Sequence, residues 1–257
     1  MLTEDSLRLA VRAAGIDAPS RFAAETASTN ADALALAEDG APEWTVVATG
    51  HQTVGRGRRG RSWTSAPGKA LLFSMILRPA ISPDRVPVLS LLTADALAAA
   101  CTEVVAVDVR CKWPNDLVVG DRKVAGILPE ASVVGSEVRH VVMGIGVNVA
   151  MGESDFPEDV RATATSLAPE GPGPDQGVLL ERFLAGFRAA YAAPARDEAL
   201  DRYRRRCVTL GRPVRAVADH GEVIEGRAAT VDGQGALVVE TVGGTRTVSF
   251  GEVVHLR

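Results

Sequence analysis

Lysine is almost missing from this chain. Among 257 residues only Lys69, Lys112 and Lys123 are lysines, against twenty-five arginines. Where arginine is the rule, a retained lysine marks a place that wants a compact, flexible point charge rather than a planar fork. Lys112 and Lys123 fall in motifs taken up below; Lys69 does not. Cysteine is scarce too. Cys101, Cys111 and Cys207 are odd in number and form no C-x-x-C, which argues against a disulfide framework and a structural zinc site. His51, His140, His220 and His255 lie far apart without H-E-x-x-H spacing. Positive charge is not in excess. A net charge of −4 and a pI near 5.7 oppose general nucleic-acid affinity, which needs a basic footprint. No signal peptide is evident, and no apolar run of about 18 residues, so the expected location is a reducing cytosol without membrane contact. At 46% hydrophobic, the chain can bury a core for one large domain and a small one.

What is present is concentrated. Gly55-Arg56-Gly57-Arg58-Arg59-Gly60-Arg61-Ser62-Trp63 carries three glycines and four arginines in its first seven residues. Such a run is neither a helix nor a central strand, and it reads as a mobile loop whose glycines let the backbone approach a ligand closely. Its arginines supply forked, permanent charges suited to carboxylate or phosphate oxygens. Formally it matches G-x-G-x-x-G. The dinucleotide fingerprint, however, needs an amphipathic helix next and an acidic residue about 20 positions on. Here the loop leads through Pro67-Gly68 into the strand-like Leu71–Leu77, so that reading fails. Anion binding, nucleic-acid contact and a solvated loop without ligand stand as the alternatives for the loop alone.

Thr3-Glu4-Asp5 starts a short helix with Leu7, Ala10, Val11 and Ala14 on one face and Gly15 at its end. Ser28-Thr29-Asn30 caps a second, closing at Asp39-Gly40; a helix start offers amides and hydroxyls together, which suits a polar ligand. Trp44 to His51 reads as a strand delivering Gln52 and the loop. Ser82-Pro83-Asp84 opens a long apolar core helix. In Lys112-Trp113-Pro114-Asn115-Asp116-Leu117 the proline stops strand pairing and the next two residues favour a turn, setting a cation and a carboxylate about a rigid corner.

A hairpin follows around Gly120-Asp121-Arg122, in which alternation puts Lys123, Ala125 and Ile127 on one face. The strand His140 to Ala150 divides more sharply. Val141, Met143, Ile145, Val147 and Val149 form an apolar face; opposite lie Val142, Gly144, Gly146 and Asn148, a strip nearly without side-chain volume. Glycine in a strand often marks close approach by a ligand, so this strip reads as a pocket floor with Asn148 as its polar handle. Residues 152–173 form a long loop, then come two helices, the second ending in Arg204-Arg205-Arg206 as a solvated turn that complements the helix dipole. Beyond Gly211, turns at Asp219-His220-Gly221, Asp232-Gly233-Gln234-Gly235 and Val242-Gly243-Gly244 separate about five short strands, the pattern of a small β-barrel. The boundary falls at Leu210, giving units 1–209 and 210–257.

Taken together, Gly55–Trp63, Lys112–Leu117 and Lys123-Val124-Ala125-Gly126-Ile127-Leu128 resemble the signature of biotin protein ligases. Ser28-Thr29-Asn30, Gln52, the Gly144–Asn148 strand and the terminal barrel fall in the matching order, so the resemblance covers nearly the whole chain. It implies an α+β fold: a mixed-sheet catalytic domain resembling class II aminoacyl-tRNA synthetases, followed by a small SH3-like β-barrel. Repressor members add an N-terminal DNA-binding domain; this sequence resembles the short, non-regulatory form.

The chemistry implied has two steps. Biotin's carboxylate attacks the α-phosphate of ATP, with magnesium, giving biotinyl-5′-AMP and pyrophosphate; a lysine of a biotin carboxyl carrier protein then takes the biotinyl group and AMP leaves. By resemblance, Ser28, Thr29 and Gln52 hold biotin's ureido ring, the Arg56-Gly57-Arg58 segment and Lys123 bind the carboxylate and α-phosphate, and Asn30 and Gly126 also belong to the biotin site. Gly55, Arg56, Arg58, Arg61, Trp63, Lys112, Asn115, Asn148 and Ser166 serve the nucleotide. Lys123, Arg58, Asp116 and Lys112 carry the catalysis, with Asp116 either a magnesium ligand or the acceptor of the incoming lysine's proton. Two features depart from the family pattern. Pro129 sits inside a strand and marks it as an edge or an end, which weighs against dimerisation along that edge and for a monomer or weak dimer. The loop after Ala150 aligns poorly. The rivals are a lipoate ligase, disfavoured by Lys112–Leu117 and the barrel, and a DNA-binding biotin sensor, disfavoured by the acidic pI and the missing module.

Overall fold

The computed structural model describes residues 1–192, 195–218, 221–249 and 251–256. His220 and its part of the predicted turn lie outside them. In chain order the elements are α1 (Glu4–Ala13), β1 (Ser20–Ala23), α2 (Thr29–Glu38), β2 (Val46–Thr49), β3 (Ala70–Leu77) and α3 (Val86–Val105). Then come β4 (Val109–Lys112), β5 (Asp116–Val119), β6 (Arg122–Val134), β7 (Glu137–Asn148), α4 (Glu158–Arg161), α5 (Gln176–Tyr191) and α6 (Ala195–Arg206). Strands β8 (Pro213–Ala218), β9 (Val223–Val231), β10 (Leu237–Thr241), β11 (Gly244–Val248) and β12 (Gly251–His255) complete the chain.

The first seven strands form one mixed sheet in the order β1-β2-β3-β7-β6-β5-β4, parallel only between β1 and β2. Strand β3 is buried at every position, as a strand covered on both faces must be. Beside it, β7 obeys the expected division. Val141, Met143, Ile145 and Val147 enter the main core, where Phe73 meets Phe183 of α5 at 5.4 Å between ring centroids. Val142 joins a second, smaller cluster beneath α2 with Ala33, Ala37, Val47 and Ile76. The glycines that continue the α2 side of β7 leave open the ground on which the site is built.

Helix α3, with the turn before it (Pro83–Val105), is long and apolar enough by length and composition to cross a membrane, contrary to the expectation of no such run. It is instead a core helix, with 72% of its apolar 18-residue stretch buried in this fold. Its buried carboxylate, Asp95, is held by Arg202 Nε and Arg206 Nε, each at 3.0 Å. The end of α6 is therefore not the solvated turn expected. Arg206 neutralises a core carboxylate, and Arg204 Nε donates to Val231 O at 2.8 Å, across to the second sheet.

That second sheet is antiparallel, ordered β11-β10-β9-β8-β12. Strands β11 and β12 adjoin in sequence yet occupy opposite edges, so the sheet must curl until its edges nearly meet. Its docking onto the first sheet is specific. Trp113 is buried, its Nε1 donating to Gly235 O at 3.0 Å and its backbone N to Thr209 Oγ1 at 3.1 Å. His255 lies against Thr209 Oγ1 (3.2 Å from Nε2) and Arg212 (3.3 Å from Nδ1).

Burial, then Lys112 and Arg212, hold the His255 pKa down to about 4, against a smaller opposing pull from Asp121. The folded chain thus keeps this imidazole neutral where the unfolded chain protonates it. Stability from this group is full above pH ~6.5 and is lost as pH falls toward ~4, by at most about 1.4 kcal/mol per unit. The expected result is a melting temperature that declines between pH 6.5 and 4 with a visibly shallower slope in His255→Gln. His140, lowered chiefly by burial, adds a residual slope in both proteins. Identical slopes would assign the whole effect elsewhere.

Candidate active site

The site begins where α2 begins. Ser28 is extended and buried and makes no side-chain cap, so the predicted N-cap does not consume its hydroxyl. Gln52 caps the helix instead, its Oε1 accepting from Thr29 N at 2.8 Å with Thr29 Oγ1 3.0 Å away. Asn30 turns down onto β7. Its Oδ1 accepts from Ser74 Oγ at 2.6 Å, and its Nδ2 donates to Glu130 Oε2 at 2.6 Å and Leu128 O at 3.3 Å.

The glycine strip is thus a floor, but not a bare one. A Cβ on Gly144 would fall 1.9 Å from Asn30 Oδ1, and one on Gly146 would fall 2.6 Å from Trp63 Cε2. Gly126 pairs directly with Gly146 across β6 and β7, and its own Cβ would lie 3.0 Å from the same indole. Gly126 and Gly146 therefore clear a bed into which Trp63 settles, while Gly144 makes room for Asn30. Its buried Nε1 has no hydrogen-bond partner among the described residues and remains an available donor.

Lys123 reaches this bed through an irregularity invisible to alternation. Leu117 pairs with Ala125 but Val118 with Lys123, so Val124 is an extra residue on β6. This bulge flips the side-chain sequence. Val124 and Ala125 are both buried, and Lys123, expected on the face of Ala125 and Ile127, lies over Gly126 instead. Its Nζ stands 2.6 Å from Asp116 Oδ1 and 5.7 Å from the Trp63 ring centroid. The contact with Asp116 is an ion pair without hydrogen-bond alignment, which leaves that buried oxygen otherwise unsatisfied.

The glycine/arginine run is a tight hairpin. Arg56 pairs with Ser62, Gly57 N donates to Arg61 O at 2.7 Å, and a 3₁₀ turn spans Arg58–Gly60. Gly55 has no alternative, because a Cβ there would meet Trp63 O at 2.3 Å. Each arginine has a partner within the chain. Arg56 NH2 donates to Glu130 at 2.9 Å, and Arg58 NH1 donates to Asn115 Oδ1 at 3.1 Å and Gly251 O at 3.2 Å. Arg59 and Arg61 both pair with Glu252 of β12. Asn115 is itself fixed by donating to Ile127 O at 2.8 Å.

Together Ser28, Thr29, Asn30, Gln52, Arg56, Gly57, Arg58, Trp63, Asn115, Lys123 and Gly126 line one cavity of about 50 Å³, room for a few waters. Beyond Arg56 and Arg58 it faces a groove of about 880 Å³ that also takes in Gly55 and Arg61. Asp116 stands behind Lys123. The other predicted residues lie elsewhere. Lys112 sits close enough to His255 to depress its pKa, on the side of the second sheet. Asn148 donates to Thr165 O at 2.9 Å and Ser166 to Met151 O at 2.8 Å, so both hold the segment after β7 rather than line the cavity. That segment in turn clamps the lysine's backbone beyond the end of β7. Lys123 N donates to Thr163 O at 2.7 Å, and Thr165 N donates to Lys123 O at 2.8 Å. Ser74 and Glu130 escaped sequence reasoning. Their signals were a lone hydroxyl in an apolar strand and a charge just after Pro129.

Comparison with known proteins gives this geometry its family. The biotin/lipoate A/B protein ligase family matches residues 23–148, and the biotin protein ligase C-terminal domain matches residues 209–256. The chain is 36% identical over 242 residues to a biotin–[acetyl-CoA-carboxylase] ligase of Mycobacterium tuberculosis, covering 91% of this chain and 88% of that one. It is 34% identical over 248 residues to the enzyme of that name from Paracoccus denitrificans, covering 90% and 98%. Its fold superposes with a TM-score of 0.76 on a biotin protein ligase from Aquifex aeolicus in complex with biotin and ATP, at 25% identity over 93% of this chain and 99% of that one. The chain belongs to the biotin protein ligase family.

Proposed function

We propose that this chain is an ATP-dependent ligase that activates biotin as biotinyl-5′-AMP and transfers it to one lysine of a biotin carboxyl carrier protein. The observation carrying this reading is one cavity lined by two chemically distinct sets of groups. Neutral hydroxyl and amide groups of Ser28, Thr29 and Gln52 form one set, and the cations Arg56, Arg58 and Lys123 form the other. The first set suits a ureido ring and the second suits a carboxylate meeting a phosphate.

In the first step a carboxylate oxygen bonds to the α-phosphorus while the bond to the departing pyrophosphate breaks. Negative charge builds between two anions, and cations fixed beforehand lower that barrier. Lys123 has the best-fixed position, with its backbone clamped on two sides and its ammonium against Asp116. In the second step the acceptor amine attacks the anhydride carbonyl, AMP leaves, and the amine sheds a proton; Asp116 is the carboxylate available nearby. Among the described residues no group of three acidic, cysteine or histidine side chains converges. Asp116 would therefore be a lone protein ligand to a magnesium ion carried largely by the nucleotide's phosphates, a normal arrangement for that ion.

The reading extends to the two units, 1–209 as catalytic domain related to class II aminoacyl-tRNA synthetases and 210–257 as SH3-like barrel, supported by the mixed sheet and the curled terminal one. It includes no DNA partner, supported by the net charge of −4 and by loop arginines already paired with the chain's own acceptors. It also includes a cytosolic setting and a monomer or weak dimer. In support of the latter, Pro129 lies in the half of β6 paired with β7 but not with β5. The test is biotin-dependent exchange of pyrophosphate into ATP, run beside lipoate and a DNA mobility shift. Exchange with lipoate alone, or a shift without exchange, would overturn the reading.

A further outcome concerns retention of the intermediate. Arg58 ties the loop both to Asn115 and to β12. A charged hydrogen bond of this kind contributes roughly 1.5–3 kcal/mol, so Arg58→Gly should release biotinyl-AMP about ten to a hundred times faster. The adenylate still forms, and bystander proteins become biotinylated. Unchanged release in a labelled-adenylate chase would remove Arg58 from this role.

A further inference from the structure

Glu130 stands on β6 one residue past Pro129, with its side chain toward α2 and the glycine/arginine hairpin. Its Oε2 accepts from Asn30 Nδ2 at 2.6 Å and from Arg56 NH2 at 2.9 Å. The two donors differ in freedom. Asn30 is 4% exposed, fits only because Gly144 has no side chain, and accepts through Oδ1 from Ser74 Oγ. An amide oxygen cannot donate, so the Ser74 proton is committed to Asn30. The 2.8 Å contact between Ser74 and Thr29 hydroxyls then requires Thr29 to donate, and Gln52 Oε1 is held by Thr29 N. A single run of hydrogen bonds thus leads from Gln52 through Thr29, Ser74, Asn30 and Glu130 to Arg56.

Only the last member belongs to a glycine-flanked loop. Arg56 touches Glu130 through one terminal nitrogen, and a guanidinium has five N–H donors, so Nε and NH1 stay available at the cavity wall. We propose that Glu130 is a positioning residue for the anionic half of the ligand. Pinned by the buried Asn30, its carboxylate holds Arg56 end-on and presents the rest of the fork to the ligand's carboxylate. The proposal rests on the reading of this cavity as the biotin site. A Glu130 that merely occupied Arg56 until a ligand displaced it would act in the opposite sense, and the two are separable.

The experiment is calorimetric titration of Glu130→Gln with biotin and with biotinol, which carries an alcohol in place of the carboxylate. Loss of the charged contact should weaken biotin about tenfold and leave biotinol within about twofold. In an Arg56→Ala background, Glu130→Gln should change biotin affinity no further, because the residue it positions is gone. Equal weakening of both ligands would mean that Glu130 merely supports Asn30 and the floor. Tighter biotin binding would make it a competitor. Either result overturns the proposal, as does an undiminished effect in the Arg56→Ala background. If the unaltered chain binds neither compound, the biotin reading itself fails, a result distinct from all of these.

Discussion

Lys123→Ala should slow adenylate formation by ~10²–10³ while leaving the fold intact, the usual loss when one preorganised electrostatic donor is removed from a reaction centre. Three features place Lys123 above the arginines of the hairpin for this role. Its backbone is paired with Val118 on one side and with the Thr163–Thr165 segment on the other, so its root does not move with the loop. Its ammonium lies against Asp116 and near the face of Trp63, which orient it without burying it, since 38% of the side chain is exposed. It also crosses Gly126, where any side chain would contest the space. The assay is single-turnover formation of biotinyl-AMP beside a thermal melt. Asp116→Asn is the informative companion: it should lower the rate less than Lys123→Ala, because the ammonium that meets the developing charge remains. Normal turnover in Lys123→Ala would move the reaction centre away from this bed.

Gly146→Val should abolish productive binding by a different route. The strand conformation at Gly146 suits valine, so β7 itself has no backbone reason to fail. The new Cβ, however, would lie 2.6–2.9 Å from three atoms of the Trp63 indole and must evict it. Trp63 N donates to Gly55 O at 2.9 Å, so evicting the ring drags the root of the glycine/arginine hairpin. A displacement of about 1 Å in positioning groups costs on the order of a hundredfold in rate, so adenylate formation should fall by about that, with biotin and ATP affinity falling as well. Overpacking costs about 1–3 kcal/mol in stability. Adding Trp63→Ala to Gly146→Val removes the clash, so the melting temperature should recover while affinity does not. If Gly146→Val binds both ligands normally, Trp63 is a passenger on the floor. If the double variant melts no higher than the single, the clash lies elsewhere.

The elements that were legible in the sequence are those whose cause is local. Thr3 begins α1 through reciprocal bonds with Ser6, four residues of chain that need nothing else. The two faces of β7 follow from period-two alternation, and so does the space left by Gly144 and Gly146. Local rules did not reach the places where a distant segment redirects them. The bulge at Val124 turned Lys123 to the opposite face from the one alternation assigns. Trp113, at the centre of a motif with a cation and a carboxylate, faces Gly235 more than a hundred positions away and docks the second sheet. Asn148, through Nδ2, and Ser166, through Oγ, bond the segment that clamps Lys123.

By itself, then, the sequence determined which chemistry could be assembled: a flexible run of guanidinium groups, three scarce lysines, a volume-free strip of glycines, and a helix start with hydroxyls and amides. Those are properties of composition and short spacing, and they survive any packing. Tertiary structure decided which group fills which space. Asn30 and Trp63 occupy the glycine strip, Glu130 and Asp116 face Arg56 and Lys123, and Glu252 of the second sheet holds Arg59 and Arg61. The physical reason is that a charge or a ring is placed by its partner's position, and here most partners arrive from strands far apart in the chain.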